Sequence, residues 1–258
     1  MSVRRIRSIG RAELLLLWRN RTALLNALLP PVAIVGLAAS AKVDTGGLSS
    51  HAFLVTGMFG LALLSVVYYT LVSTYVARRE ELLLKRLRVG ELTDAEILAG
   101  TASPAVAIAV AQIALFVGAG AVFLGLPVPV NAPVLVLGAL GGVAVFVLLA
   151  AASSAFTRTV EMAQVTTLPV VLACLLGSGL LVPLHALPGP VAGGMRFLPL
   201  APAVDLLRLG WLGTTGAGTP KDFVGVLGAA AQPAGVLAAW TVFGVVAVRR
   251  WFRWEPRR

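Results

Sequence analysis

Residues Phe53–Val76 read FLVTGMFGLALLSVVYYTLVSTYV, and Ala77–Gly100, which follow directly, read ARREELLLKRLRVGELTDAEILAG. The first stretch contains no Asp, Glu, Lys or Arg, and it exceeds the about 20 apolar residues that a helix needs to cross a hydrocarbon core. The second opens with a dense mixture of charge and leucine and closes by turning apolar again. An uncharged run that stops abruptly at Arg78, Arg79, Glu80 and Glu81 is the pattern of a helix leaving lipid for water. These two stretches decide the fold class: an all-α membrane protein in which a charged connection joins two crossings.

The rest of the chain agrees. Its 258 residues are 58% hydrophobic and only 12% charged, with a mean hydropathy of +0.91, whereas a soluble domain is roughly 25% charged. Six apolar stretches are long enough to span with some tilt: Thr22–Ala41, Phe53–Val76, Ala102–Leu126, Ala132–Phe156, Met162–Val182 and Phe223–Val248. Six transmembrane helices with short loops occupy most of the length, so residues 1–258 are expected to form a single transmembrane domain with little room for a soluble catalytic unit. Pro30 and Pro31 would kink the first span or mark its effective start.

The net charge of +10 does not point to nucleic acid, because the basic residues flank apolar runs, where a topogenic role at the membrane surface is expected. Of the 21 basic residues, only Lys42, Arg196, Arg208 and Lys221 fall on one side of the predicted topology. The others lie in the N-terminal segment, the 77–100 loop, the turn at Arg158 and the tail from Arg249. The positive-inside tendency then places both termini in the cytoplasm of a multi-pass protein of the inner or plasma membrane. Arginine greatly outnumbers lysine and Ala, Gly, Val and Leu dominate, as expected of a high-GC bacterial genome. The single Cys174 sits in an apolar run, so no disulfide forms within one chain; it reads as a small buried apolar residue.

Residues 1–21 alternate basic and apolar positions, with Ile6, Ile9, Leu14 and Leu17 able to share one helical face and Arg4, Arg7 and Arg11 another. This predicts an interfacial amphipathic helix on the cytoplasmic leaflet; the alternative is a topogenic flank without fixed structure. Ala39, Ser40 and Ala41 resemble a signal-peptide cleavage site. Cleavage there would leave an odd number of spans and disturb the charge alternation. Residues 183–220 are marked by Pro183, Pro188, Pro190, Pro199 and Pro202, too broken for a clean span. They read as short external re-entrant or interfacial half-helices, which lipid tolerates only where the backbone is covered, or as an ordinary external loop with an amphipathic helix.

Chemistry is sparse. Ionisable residues are nearly absent from the spans; Arg158 and Glu161 lie at a cytoplasmic edge, and Asp205 and Arg208 in the external segment. A proton- or sodium-coupled carrier usually needs buried carboxylates or a helix-break ion site, so that class is disfavoured. No G-x-x-x-x-G-K-[ST] loop is present to cradle nucleotide phosphates. His51 and His185 lack metal-ligand spacing to other His, Cys or carboxylate residues, and no metal site is expected. Gly177, Ser178 and Gly179 lack the preceding glycine of an intramembrane serine-protease motif, so Ser178 reads as a small residue for close packing.

The 77–100 loop is more informative. Its first half reads as a charged continuation of the second span, with Glu81 and Lys85 at i,i+4 spacing and Leu83, Leu84 and Leu87 forming an apolar ridge. Gly90 can stop that helix, and Thr93 with Glu96 forms a capping box that starts the next. The expected product is a rigid helix-break-helix knob.

At these residues the chain resembles the type 2 class of ATP-binding cassette exporter permeases, particularly the drug-resistance branch. That family carries a stretch similar to R-E-E-x-x-L-K-R-L-R-x-x-P-L-x-x-x-x-x-L-A-G. Arg79 to Arg88, Leu92, and Leu98 to Gly100 match it, whereas Glu91 stands where the family usually has proline. A second match runs through Val182, Pro183, Ala186, Leu187 and Pro188 to Phe197–Arg208, similar to the family's proline-marked external segment followed by P-L-x-P and L-R.

The resemblance implies a core of two permeases, a homodimer or related heterodimer, and two copies of a cytosolic ABC ATPase. ATP and Mg would bind in that partner and not in this chain, which would not itself be an enzyme. It further implies that Arg79, Glu80, Glu81, Leu84, Lys85, Arg86, Leu87, Arg88, Glu91 and Leu92 belong to a coupling helix seated on the ATPase, with Arg158 and Glu161 in a second contact. Pro183, Pro188, Pro199, Pro202, Asp205 and Arg208 mark the external motif. A pathway of small and apolar residues suits a hydrophobic or amphipathic substrate such as a drug, antibiotic, peptide or lipid; substrate-binding residues are not identifiable. Alternatives are a glycan or polysaccharide exporter of the same class, and a non-transporting assembly or sensor subunit, which would have no ATPase partner.

Overall fold

A computed structural model describes residues 48–89, 92–180, 188–216 and 218–255. These form eight helices and no strand: α1 (Ser50–Glu80), α2 (Leu83–Val89), α3 (Asp94–Phe123), α4 (Ala132–Ser154), α5 (Ala163–Gly177), α6 (Gly189–Met195), α7 (Ala201–Leu212) and α8 (Phe223–Trp251). Four of them, α1, α3, α4 and α8, are long and apolar enough to cross a membrane. The expected first span, the interfacial helix 1–21 and Pro30 and Pro31 lie outside the described residues. The expected fifth span appears as α5, whose 15 residues reach only about 22 Å at 1.5 Å per residue.

Local chemistry explains the helix starts. Ser49 caps α1 by accepting from Ala52 N at 3.2 Å. Asn131 caps α4 through Val134 N at 3.1 Å, and Asp222 caps α8 through Gly225 N at 3.0 Å. Each satisfies a backbone donor that the first turn leaves open. Pro104 inside α3 lacks the N–H that would bond Gly100; the Ser103 hydroxyl donates to that carbonyl at 2.8 Å instead, the kind of repair that lets proline persist in a membrane helix. Midway along α1, residues Leu63–Tyr69 widen into a π-helical turn, with Ser65 Oγ donating to Leu61 O at 2.7 Å and Thr70 Oγ1 to Ser65 O at 2.9 Å.

Helix α4 is the hub, packing on α7, α8 and α1. Gly138 and Gly142, one helical turn apart on α4, make the approach possible: a Cβ on Gly138 would meet Leu206 Cβ at 2.8 Å and Leu207 N at 2.9 Å, and one on Gly142 would meet Ala203 Cβ at 3.0 Å. From the other side, a Cβ on Gly210 of α7 would lie 2.3 Å from Leu135 N. Small residues replace area burial as the source of packing where lipid is as apolar as leucine.

Because of this contact α7 is buried along its length except at Asp205. It is neither a solvated loop nor, at 12 residues and about 18 Å, a crossing. At its C-terminal end, Gly210 O accepts from Asn131 N at 2.8 Å and Trp211 O from Val130 N at 3.1 Å, while Trp211 Nε1 donates to Pro127 O at 2.8 Å. Gly213, at φ +72°, then turns the chain away.

Candidate functional site

The charged segment after α1 forms a knob, but it breaks earlier than the sequence suggests. Glu81 N bonds Ala77 O at 3.0 Å, and Leu82 N bonds Arg79 O at 3.1 Å. Leu82 then adopts φ +57°, a left-handed conformation that L-residues avoid because Cβ crowds the following carbonyl. Helix α2 restarts at once, with Arg86 N bonding Leu82 O at 3.0 Å. The stop expected at Gly90, which lies outside the described residues along with Glu91, is therefore preceded by a reversal at Leu82. The expected pairing of Glu81 with Lys85 involves a side chain outside those described. A break in the helix lies between the two residues, and Glu81 Oε2 meets Arg78 Nη1 at 3.1 Å.

The leucine ridge turns inward. Leu84 is fully buried and Leu83 and Leu87 are half-buried, sealing α2 onto the bundle, whereas Glu80, Glu81, Arg86 and Arg88 are exposed. Leu82 and Val89, 41% and 84% exposed, are the apolar side chains the knob presents outward. Lys85 belongs to α2, and Leu92 is half-buried ahead of α3. The capping box forms as read: Thr93 Oγ1 accepts from Glu96 N at 3.4 Å, and Glu96 Oε2 accepts from Thr93 N at 2.9 Å. Arg88 Nε lies 3.1 Å from Asp94 Oδ1, tying the end of α2 to the first turn of α3.

Arg79 behaves differently from its neighbours. It is 1% exposed, and its guanidinium donates to Ser154 O at 2.8 Å and Thr157 O at 2.5 Å. The last carbonyls of a helix have no partner within it and carry the negative end of its dipole, so a buried cation is well placed there. Expected among the coupling side chains, Arg79 instead links this chain's own α1 to the end of α4. That link joins two segments read separately from the sequence, because Arg158 and Glu161, both exposed, follow Thr157 directly. The Thr159 hydroxyl and a backbone N–H hold the Glu161 carboxyl below its ordinary range. One end of the bundle thus carries a mixed-charge surface from Glu80, Glu81, Arg86, Arg88, Arg158 and Glu161.

The proline-marked segment lies at the opposite end. Pro183 falls outside the described residues. Pro188 is the exposed N-cap of α6, and Pro199 and Pro202 are buried at the start of α7. Arg208, 4% exposed, donates from Nε to Thr56 Oγ1 and from Nη2 to Gly179 O, each at 3.0 Å. Its guanidinium lies 5.1 Å from the Phe53 ring centroid. One residue therefore latches α7 to α1 and to the chain just after α5. The sequence marked Arg208 but not Thr56, Gly179 or Phe53; an arginine within the otherwise apolar run Leu206–Leu212 was the signal that a partner exists.

Residues 4–211 match the family profile described as ABC-2 type transporter. No curated protein matches the chain.

Proposed function

Because the chain belongs to the ABC-2 type transporter family, we propose that it is the permease subunit of an ATP-driven exporter whose coupling helix is α2. Such a permease is a transport component and not a catalytic domain, and the family implies an ABC ATPase partner and a membrane setting. In this reading the chain crosses the inner or plasma membrane six times with both termini in the cytoplasm, the segment around α6 and α7 is external and re-entrant, and two permeases work with two ATPases.

One observation supports the coupling role most. A charged knob stands between two long apolar helices: Glu80 and Glu81 at the end of α1 and Arg86 and Arg88 of α2 are exposed, the leucines of α2 turn inward, and Arg79 ties the base of the knob to the neighbouring turn that carries Arg158 and Glu161. Mixed charge gives orientation and partner choice more than affinity, while Leu82 and Val89 offer apolar contact. Binding and closure of the ATPases can shift the permease only through contacts that differ between its conformations. A knob held rigidly to both α1 and α4 passes such a shift to two spans at once.

The substrate is a hydrophobic or amphipathic compound of the drug, antibiotic, peptide or lipid kind. Arg79, Glu96 and Arg208 are buried charges, but each is hydrogen-bonded within the chain, and most of the other buried side chains are apolar. The drug-resistance branch fits this substrate class.

The test is affinity purification of the tagged chain with its ATPase, comparing wild type with Glu80→Lys combined with Glu81→Lys. Loss of the co-purifying ATPase is the expected result. Unchanged co-purification and transport would refute the assignment of α2.

A further inference from the structure

The tail after α8 reaches the knob. Helix α8 ends at Trp251, Phe252 leaves it in an extended conformation at φ −60° and ψ 134°, and the chain carries Trp254 to the end of α2. The Arg88 guanidinium carbon lies 4.8 Å from the Trp254 ring centroid. Trp254 in turn meets Phe252 edge-on, with centroids 4.9 Å apart at 74°. Phe252 meets Tyr75 of α1 in the same way, at 6.1 Å and 82°. Tyr75 is fully buried and donates to Leu98 O of α3 at 3.1 Å.

These contacts link the tail to α1, α2 and α3. They run from Tyr75 on α1 through Phe252 and Trp254 to Arg88 on α2, and on to Asp94 on α3. We propose that Phe252 and Trp254 are positioning residues for α2, fixing through Arg88 the angle at which it meets the ATPase. The proposal rests on the coupling role assigned to α2 above.

The physical need is plain. Seven residues make too short a helix to hold itself in water, and α2 starts from a left-handed Leu82. Leu83, Leu84 and Leu87 hold one face of it by apolar contact, which is not directional; a directional contact at its end fixes its angle. Arg88 supplies it, gripped by the Asp94 carboxylate on one side and the Trp254 face on the other. A planar guanidinium stacks its face on the ring while its edge N–H groups pair with the carboxylate, a directional geometry that a lysine ammonium, a point charge, does not reproduce. The Arg88 side chain is 51% exposed, so the contact adds little to the stability of the fold and acts chiefly on the orientation of α2. Trp240, Phe243 and Trp251 form a separate aromatic chain on α8. That chain continues from Trp251 to Phe156, while Trp240 Nε1 donates to Phe197 O at 2.7 Å.

The experiment uses the full chain in nanodiscs with the ATPase subunit that co-purifies with it. Trp254→Leu keeps apolar bulk and removes the π face; Trp254→Phe restores one. Two readouts are taken: hydrogen exchange across residues 83–89, and the Kd for the ATPase beside the ATP turnover of the saturated complex. Trp254→Leu is expected to raise both exchange and Kd about fivefold, leave saturated turnover unchanged, and be rescued by Trp254→Phe. If Trp254→Leu does not assemble, Arg88→Lys read by exchange alone carries the test, and a fivefold rise supports the proposal. Wild-type exchange and Kd in Trp254→Leu, with binding still lost in the Glu80→Lys, Glu81→Lys protein, overturn the tail's role and leave the coupling reading standing. Unchanged binding in that charge-reversed protein removes both.

Discussion

Replacing Arg79 by alanine tests the link between α1 and α4 directly. The substitution removes two hydrogen bonds from a buried cation to the carbonyls of Ser154 and Thr157. Bonds to charged groups contribute about 1.5–3 kcal/mol each, and a partly buried cation at a helix C-terminus adds up to about 2 kcal/mol through the dipole. Water can reach part of a vacated helix end, so about 3–5 kcal/mol is the expected loss. For a chain of this length each kcal/mol moves the midpoint by about 2–4 °C, so Arg79→Ala is expected to melt about 6–20 °C below wild type. Arg79→Lys keeps the charge but not the fork, and falls between the two. The control is Arg78→Ala, which loses a surface pair with Glu81, a contact in the class that contributes about 0–1 kcal/mol. The assay is thermal unfolding of purified, tagged protein in one detergent, followed by loss of the monodisperse chromatographic peak. An Arg79→Ala midpoint indistinguishable from that of Arg78→Ala would refute the assigned role.

Three further outcomes follow from the packing. Gly210→Ala would put a methyl 2.3 Å from the Leu135 backbone nitrogen and should abolish folded yield, whereas Gly228→Ala, with nothing within 4 Å, should leave yield at wild-type level by the same chromatography. Thr93→Ala removes the N-cap hydroxyl of α3 at a cost of about 1 kcal/mol, which hydrogen exchange reads as faster exchange in the first turn of α3 and unchanged protection in α7. Arg208→Ala leaves Thr56 Oγ1 and Gly179 O without their shared donor. It should lower the thermal midpoint by an amount similar to Arg79→Ala, and Arg208→Lys should recover part of it.

Much of this protein is legible from its sequence because lipid acts locally. A run such as Phe53–Val76 or Ala132–Phe156 must become a helix wherever it lies, since every backbone polar group in hydrocarbon needs a partner within its own segment. Four of the six expected spans therefore appear as helices long and apolar enough to cross. The capping box at Thr93 and Glu96 is equally local, needing only residues three apart.

What the sequence could not decide is which way side chains face, because that depends on how helices rotate against one another. Arg79 and Glu80 are adjacent and both charged, yet one lies inside against the end of α4 and the other outside, a choice made by the approach of α4 to α1. The break at Leu82 has no glycine or proline to announce it; tertiary packing of Leu84 holds a conformation that leucine by itself disfavours. Gly138, Gly142 and Gly210 read as ordinary small residues until α4 and α7 are seen to touch through them. Local hydropathy thus determined what is buried in lipid, and only the packing of the helices determined which charges remain free to meet a partner.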